Sequence, residues 1–213
     1  MALHLRNSQM GEQNLHFSAL VGSRICHDLI SPVGAINNGV ELLSMSGTPP
    51  SPEMALISQS VEAANARIRF FRIAYGAPSE TQLMGRSEVT QLLRDITRDS
   101  RLVLNWLPGE DVTRSEVQLV FLAIQCAEQA LPYGGRVDIE RQDDLWKLTL
   151  EAERLTLDPA LWDAFEQHAA QTQNSSDAII PAHVQFALLP MHASAMGRRV
   201  QYVQQDGKVI LTV

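Results

Sequence analysis

Hydrophobic residues recur near the start of the chain at Phe17, Val21, Ile25, Leu29, Ile36, Val40 and Leu43. Steps of three, four and seven residues put them on one stripe of an amphipathic helix. That helix is predicted over Glu12 to Met45 and would be about 50 Å long, given the rise per residue. Gly47-Thr48-Pro49-Pro50 breaks it, and Ser51-Pro52-Glu53 starts another, with Ser51 as the cap and Pro52 in the first turn. The second helix has the most regular pattern in the chain, with Met54, Ile57, Val61, Ala64, Ile68, Phe71 and Tyr75 spaced alternately three and four apart. This is an a/d seam of the kind found in coiled coils and four-helix bundles, and Gly76 with Pro78 ends it. Two long helices on a short turn predict an antiparallel hairpin. Such a hairpin has too little core to stand alone and pairs naturally with a second copy to complete four helices.

After Pro78 the period switches between helix and strand. The pattern predicts a helix from Ser87 to Arg98, a strand from Arg101 to Trp106 and a helix from Thr113 to Leu131. Gly134-Gly135 then leads into alternating strands, Arg136 to Arg141 and Leu145 to Glu151, joined by Gln142-Asp143-Asp144. Further helices follow, from Asp158 to about Ala170 and from about Ala182 to Met196, and two strands close the chain around Gly207. The class is layered α+β, with a helical domain over 1–77 and a mixed domain over 78–213.

Charge supports that division. Of 17 basic and 24 acidic residues, the first 77 positions hold five of each, so the whole net charge of −7 lies beyond them. An acidic second half and a neutral first half give nucleic acid no basic face to bind. No apolar run approaches the roughly 18 residues of a membrane span, and MALHLRNSQMGEQN lacks the pattern of a secretory signal. A cytoplasmic protein without a membrane partner is expected. Cys26 and Cys126 lie in helical patterns with no metal-ligand spacing, which predicts reduced, mostly buried thiols. His4, His16, His168, His183 and His192 show no paired spacing suited to zinc.

His27 is different. By the helical period it lies roughly 160 to 200 degrees around from Ile25, Leu29 and Ile36, so a buried stripe turns it toward water. Arg24, Asp28, Ser31 and Gly34 stand within about a turn or two of it, and Asn38 and Glu41 lie further along. These are small or polar groups that leave a smooth, accessible face. Pro32 removes the donor that would bond the Asp28 carbonyl and bends the backbone beside the histidine. A single exposed histidine is usually silent. The order His27-Asp28-Leu29-Ile30-Ser31-Pro32, inside a dimerising hairpin and ahead of an α+β domain, is far less common.

That stretch resembles the H-box of two-component histidine kinases, which reads His, acidic residue, Leu, any residue, Thr or Ser, Pro, and it matches at five positions. The resemblance implies that His27 accepts a phosphoryl group, that Asp28 fixes its tautomer or takes its proton, and that Ser31 hydrogen-bonds the transferring group or an attacking water. A neutral imidazole nitrogen is a competent nucleophile near neutral pH, which suits that role. Adjacent residues do not face each other on a helix, so the role of Asp28 comes from the resemblance alone. Arg67, Arg69 and Arg72 of the second helix either meet acidic edges of a partner or form a solvated face, and the sequence leaves both open.

The second domain resembles the ATP-binding domain of the same kinases, the Bergerat fold, in element order and in Ala127-Glu128-Gln129-Ala130-Leu131-Pro132-Tyr133-Gly134-Gly135. Cys126 stands where that family places its magnesium-binding Asn, no Asp-x-Gly-x-Gly follows the strand over 147–154, and no glycine-rich lid precedes the helix of His183 to Met196. ATP use is therefore not expected. An intact H-box hairpin with a degenerate ATPase-like domain resembles the alphaproteobacterial histidine phosphotransferases. The likeness is densest over residues 18–43 and in Arg67-Ile68-Arg69-Phe70-Phe71-Arg72. It implies a homodimer that takes a phosphoryl group from the receiver domain of a hybrid histidine kinase and passes it to response regulators. It also implies docking through Arg24, Pro32, Gly34, Asn38, Glu41, Arg67, Arg69 and Arg72, and no cofactor of its own, the receiver supplying Mg²⁺. Two other readings stay open: an active kinase with a divergent ATP site, and a receiver-binding dimer without catalysis.

Overall fold

In the computed structural model the described residues are 22, 29–30, 33–34, 36–43, 45, 51–163, 165, 181–205 and 207–213. They divide into two compact units, Met1–Ala77 with Arg94–Ile96, and Pro78–Leu93 with Thr97–Val213.

In the first unit residues 36–43 form a continuous helical stretch, α1, and the described residues 22, 29–30, 33–34 and 45 are helical too. Helix α2 runs Pro52–Ala74, and Ser51 Oγ accepts the Met54 N–H at 3.2 Å, as the cap pattern predicts. Tyr75 closes it, its N–H donating to the Phe71 carbonyl at 2.8 Å. The expected seam is only partly buried. Val61 and Ile68 are covered, but Ile57 is 43% exposed, while Ala66, Phe70, Ile73 and Ala74 are buried off the seam. The C-terminal half of α2 is thus covered over a wider arc than a single a/d stripe. On the first stretch, Leu29, Ile36 and Leu43 are 46%, 51% and 50% exposed, so at these three described positions the predicted stripe is not covered. Phe17, Val21 and Ile25, and the turn around Gly47, lie outside the described residues.

The second unit is mixed α and β. Its sheet has the order β2-β4-β5-β7-β6, formed by β2 (Leu102–Trp106), β4 (Gly135–Gln142), β5 (Leu145–Glu151), β6 (Gln201–Gln205) and β7 (Lys208–Thr212). β2 and β4 are parallel, which requires a crossover, and α4 (Arg114–Ala130) supplies it; the other pairs are antiparallel. α3 (Arg86–Thr97) precedes β2. Alternate residues turn inward: Val137 and Ile139 from β4, Trp146, Leu148 and Leu150 from β5, Val209 and Leu211 from β7, all fully buried. Each large side chain so buried contributes about 2 kcal/mol.

α4 is the centre of the unit. Every residue from Ser115 to Ala127 is buried, as happens to a helix packed on all sides. Thr113 caps it, its Oγ1 accepting the Glu116 N–H at 3.4 Å. Gly134 and Gly135 enter β4 at φ +93° and +149°, and a β-carbon at Gly134 would come within 2.4 Å of the Arg101 Cβ. Only glycine lets β4 lie so close beside β2.

Three features depart from the pattern-based prediction. A two-residue ladder joins β1 (Leu83–Met84) to β3 (Val112–Thr113), too short to show a period. The helix predicted from Asp158 is α5 (Pro159–Trp162), with Phe165 also helical and most of the remainder outside the described residues. The next helix opens as a 3₁₀ turn, Pro181–His183, before α6 (Val184–Ala195). Trp162 meets Phe165, Phe186 and Tyr202 edge to face, tying α5, α6 and β6 together. Among the described residues no helix is long and apolar enough to cross a membrane.

Candidate functional site

His27, with Arg24, Asp28, Ser31 and Pro32, lies outside the described residues. The surface that continues along the same stretch is described. Gly34 is helical and half-buried, and Asn38 and Glu41 are helical and exposed. At about 100° per residue, these three fall within an arc of roughly 60°, on the side where the period places His27. Leu42 and Met45 share that side and are 66% and 79% exposed. Sequence reading did not single them out, although their spacing from Asn38 was the available signal.

The arginines of α2 do not form one cluster. Arg69 is paired with Asp95 at 3.0 Å. The Arg67 guanidinium lies 5.9 Å and 5.8 Å from the ring centroids of Phe70 and Phe71, a cation–π position. Arg72 is exposed in the last turn. Helical geometry puts Arg69 and Arg72 on one side and Arg67 nearly opposite. Near the end of α2 the backbone passes close to the first stretch: a β-carbon at Gly22 would sit 2.9 Å from the Tyr75 carbonyl oxygen.

In the second unit, the position compared above with a magnesium-binding Asn is closed. Cys126 is fully buried, and burial alone pushes its thiol well above the ordinary range. The residues that follow β5, Ala152, Glu153 and Arg154, line an open cleft of about 410 Å³ with Tyr133, Gly134 and Gly135. There the Arg154 guanidinium lies 5.1 Å from the Tyr133 ring centroid.

The principal charged group inside this unit is structural. Glu116, in the first turn of α4, accepts two hydrogen bonds from Arg198, both at 2.7 Å, and one from the Trp146 indole at 2.5 Å. Burial pushes its carboxyl up, but the bonds from Arg198 and Trp146 and the charges of Arg198 and Arg141 outweigh this and hold it below the usual value. Among the described residues no group of three or more His, Cys, Asp or Glu is placed to hold a metal ion.

Comparison with known proteins gives a consistent result. The family described as the histidine phosphotransferase C-terminal domain matches residues 86–208. The protein phosphotransferase ChpT of Brucella abortus (strain 2308) is 30% identical over 173 residues, which is 78% of this chain and 82% of that protein. A solved structure of a bacterial phosphotransferase superposes with a TM-score of 0.63 at 25% identity, over 94% of this chain and 95% of the other.

Proposed function

The chain belongs to the histidine phosphotransferase family and serves phosphotransfer in a phosphorelay; we propose that His27 is the residue that carries the phosphoryl group. The observation that carries this reading is the order His27-Asp28-Leu29-Ile30-Ser31-Pro32, followed along the chain by exposed helical residues, Asn38, Glu41, Leu42 and Met45, open to a partner. The donor is the receiver domain of a hybrid histidine kinase, and the acceptors are receiver domains of response regulators.

A lone pair of the neutral His27 imidazole attacks the phosphorus of the receiver's aspartyl phosphate. The P–N bond forms as the P–O bond breaks, and the carboxylate leaves with the electron pair. The ring's remaining proton goes to Asp28 or water and is taken back when a second receiver's carboxylate reverses the step. Ser31 hydrogen-bonds the phosphoryl oxygens in transit. Mg²⁺ belongs to the receiver, so the chain needs no cofactor of its own. The docking face runs from Arg24 and Pro32 through Gly34, Asn38 and Glu41, with Arg69 and Arg72 of α2 on a second edge and Arg67 held over Phe71.

The scaffold for this is an antiparallel hairpin that dimerises into four helices. The approach of Gly22, in the first helical stretch, to Tyr75, at the end of α2, supports the hairpin. The exposure of Leu29, Ile36, Leu43 and Ile57 supports a second copy as their cover. The second domain is a Bergerat-like domain that no longer uses ATP, and the full burial of Cys126 supports this, since a phosphate could not reach that position. The setting is the cytoplasm. Incubation with [γ-³²P]ATP alone and then with a phosphorylated receiver domain tests the reading. Label acquired from the receiver but not from ATP is expected, whereas label from ATP alone would establish a kinase.

A further inference from the structure

Two oppositely charged residues, Glu153 and Arg154, follow β5 and line the open cleft of about 410 Å³ that Tyr133, Gly134, Gly135 and Ala152 complete. Both are exposed. Among the described residues Glu153 has no hydrogen bond or ion pair, and Arg154 has only its approach to Tyr133, 5.1 Å from guanidinium to ring centroid. Elsewhere in this domain opposite charges within reach do pair: Glu116 with Arg198, Glu151 with Lys208, Glu140 with Lys147. Contact with an aromatic ring uses the flat face of a guanidinium and leaves the N–H donors around its edge to bond elsewhere. Tyr133 is 59% exposed, so much of its ring is still bare. The wall beside it is Gly134, Gly135 and Ala152, which carry no side chain larger than a methyl group.

We infer that this cleft binds a free α-amino acid with an apolar side chain, its carboxylate on Arg154, its ammonium on Glu153 and its side chain against the Tyr133 ring. The site is separate from the phosphotransfer reading and does not rest on it. An anionic ligand such as a nucleotide would be repelled by Glu153, and a cation by Arg154. A zwitterion carries both charges on one carbon and suits both groups, the planar guanidinium taking a carboxylate through two parallel hydrogen bonds. An apolar side chain covers ring surface that water now wets. The volume lies near the lower end of the roughly 300–1,000 Å³ of small-molecule sites, which fits a ligand of this size.

The test titrates the full-length, ¹⁵N-labelled protein with L-phenylalanine and follows the Gly134 and Gly135 amides by two-dimensional NMR. Saturable shifts at these amides are expected, with a Kd on the order of a millimolar, the affinity that roughly a dozen ligand atoms give in an open site. L-Phenylalaninamide, which lacks the carboxylate, and N-acetyl-L-phenylalanine, which lacks the ammonium, should each bind about three- to fivefold more weakly, as befits exposed ion pairs. Arg154→Met should lose the distinction between phenylalanine and its amide, and Glu153→Gln that between phenylalanine and its N-acetyl form, each keeping the other distinction. Both residues are exposed, so the variants should keep the wild-type spectrum elsewhere; if either fails to fold, the three ligands still decide on wild type. Equal affinity for the three ligands, or no shift at these amides up to the solubility of phenylalanine, would overturn the inference. So would AMP binding more tightly than phenylalanine at the same amides, which would make the cleft a nucleotide site.

Discussion

Replacing Arg198 by Met leaves the Glu116 carboxylate inside the second domain without its main partner. The two side chains are 10% and 13% exposed and meet through a pair of 2.7 Å bonds, so solvent screens them little. Removing one member of such a pair costs about 3–5 kcal/mol, because the other charge stays buried and unpaired. The low end applies, since the Trp146 indole still donates to Glu116 and Arg141 remains near it. Urea denaturation followed by tryptophan fluorescence reads this domain alone, because Trp106, Trp146 and Trp162 are the chain's three tryptophans and none lies in the hairpin.

The pH dependence has a definite sign. The folded pKa of Glu116 lies below its ordinary value of 4.5, so the carboxylate's contribution is complete above about that pH and is lost as pH falls through the lower folded value. Without Arg198, burial raises the carboxyl instead, and the variant gains on wild type as the group protonates. The destabilisation by Arg198→Met should therefore be largest near neutral pH, begin to shrink above pH 4.5 as the variant's raised carboxyl protonates, and go on shrinking as pH falls through the lower folded value of wild type. In a double-mutant cycle, Glu116→Gln together with Arg198→Met should cost less than the sum of the two single changes. A cost for Arg198→Met below about 1 kcal/mol, typical of an exposed pair, or one that does not vary with pH, would refute the argument.

Ile36 is half exposed on the stripe assigned to the second copy. Ile36→Glu should shift the protein from dimer to monomer in sedimentation velocity while far-UV circular dichroism keeps its helical signal; an unchanged dimer would place the interface elsewhere. Cys126→Asn restores the residue type of a magnesium site but not access to it, so calorimetry should show no Mg·ATP binding. The same change should destabilise the second domain by about 1–3 kcal/mol through a buried, unpartnered amide.

Elements with a long period or a strong local signal could be read from the sequence: α2 from Ser51-Pro52 and its seam, α4 from Thr113 onward, and the β4–β5 hairpin from Gln142-Asp143-Asp144, where Asp143 adopts φ 53°. The β1–β3 ladder could not, because two residues carry no period. Periodicity also marks an apolar stripe without saying what covers it, and Leu29, Ile36 and Leu43 on that stripe are half exposed within the chain. Off-seam burial of Phe70 and Ile73 escaped for a related reason: a 3.5-residue repeat describes one contact face, and α2 has more than one. The Glu116–Arg198 pair spans 82 positions, so no local pattern announces it. The proposed site, in contrast, is a short linear motif, legible because His27 through Pro32 are neighbours in the sequence.

The central claim is tested most directly by locating the phosphoryl group. Wild type and His27→Gln are incubated with a receiver domain carrying ³²P on its aspartate, and the label is mapped after mild alkaline digestion, which a phosphoramidate survives and an acyl phosphate does not. Acid-labile label on the peptide containing His27 in wild type, and none in His27→Gln, is the predicted result. Equal labelling of the variant, or label on any other residue, would contradict the account.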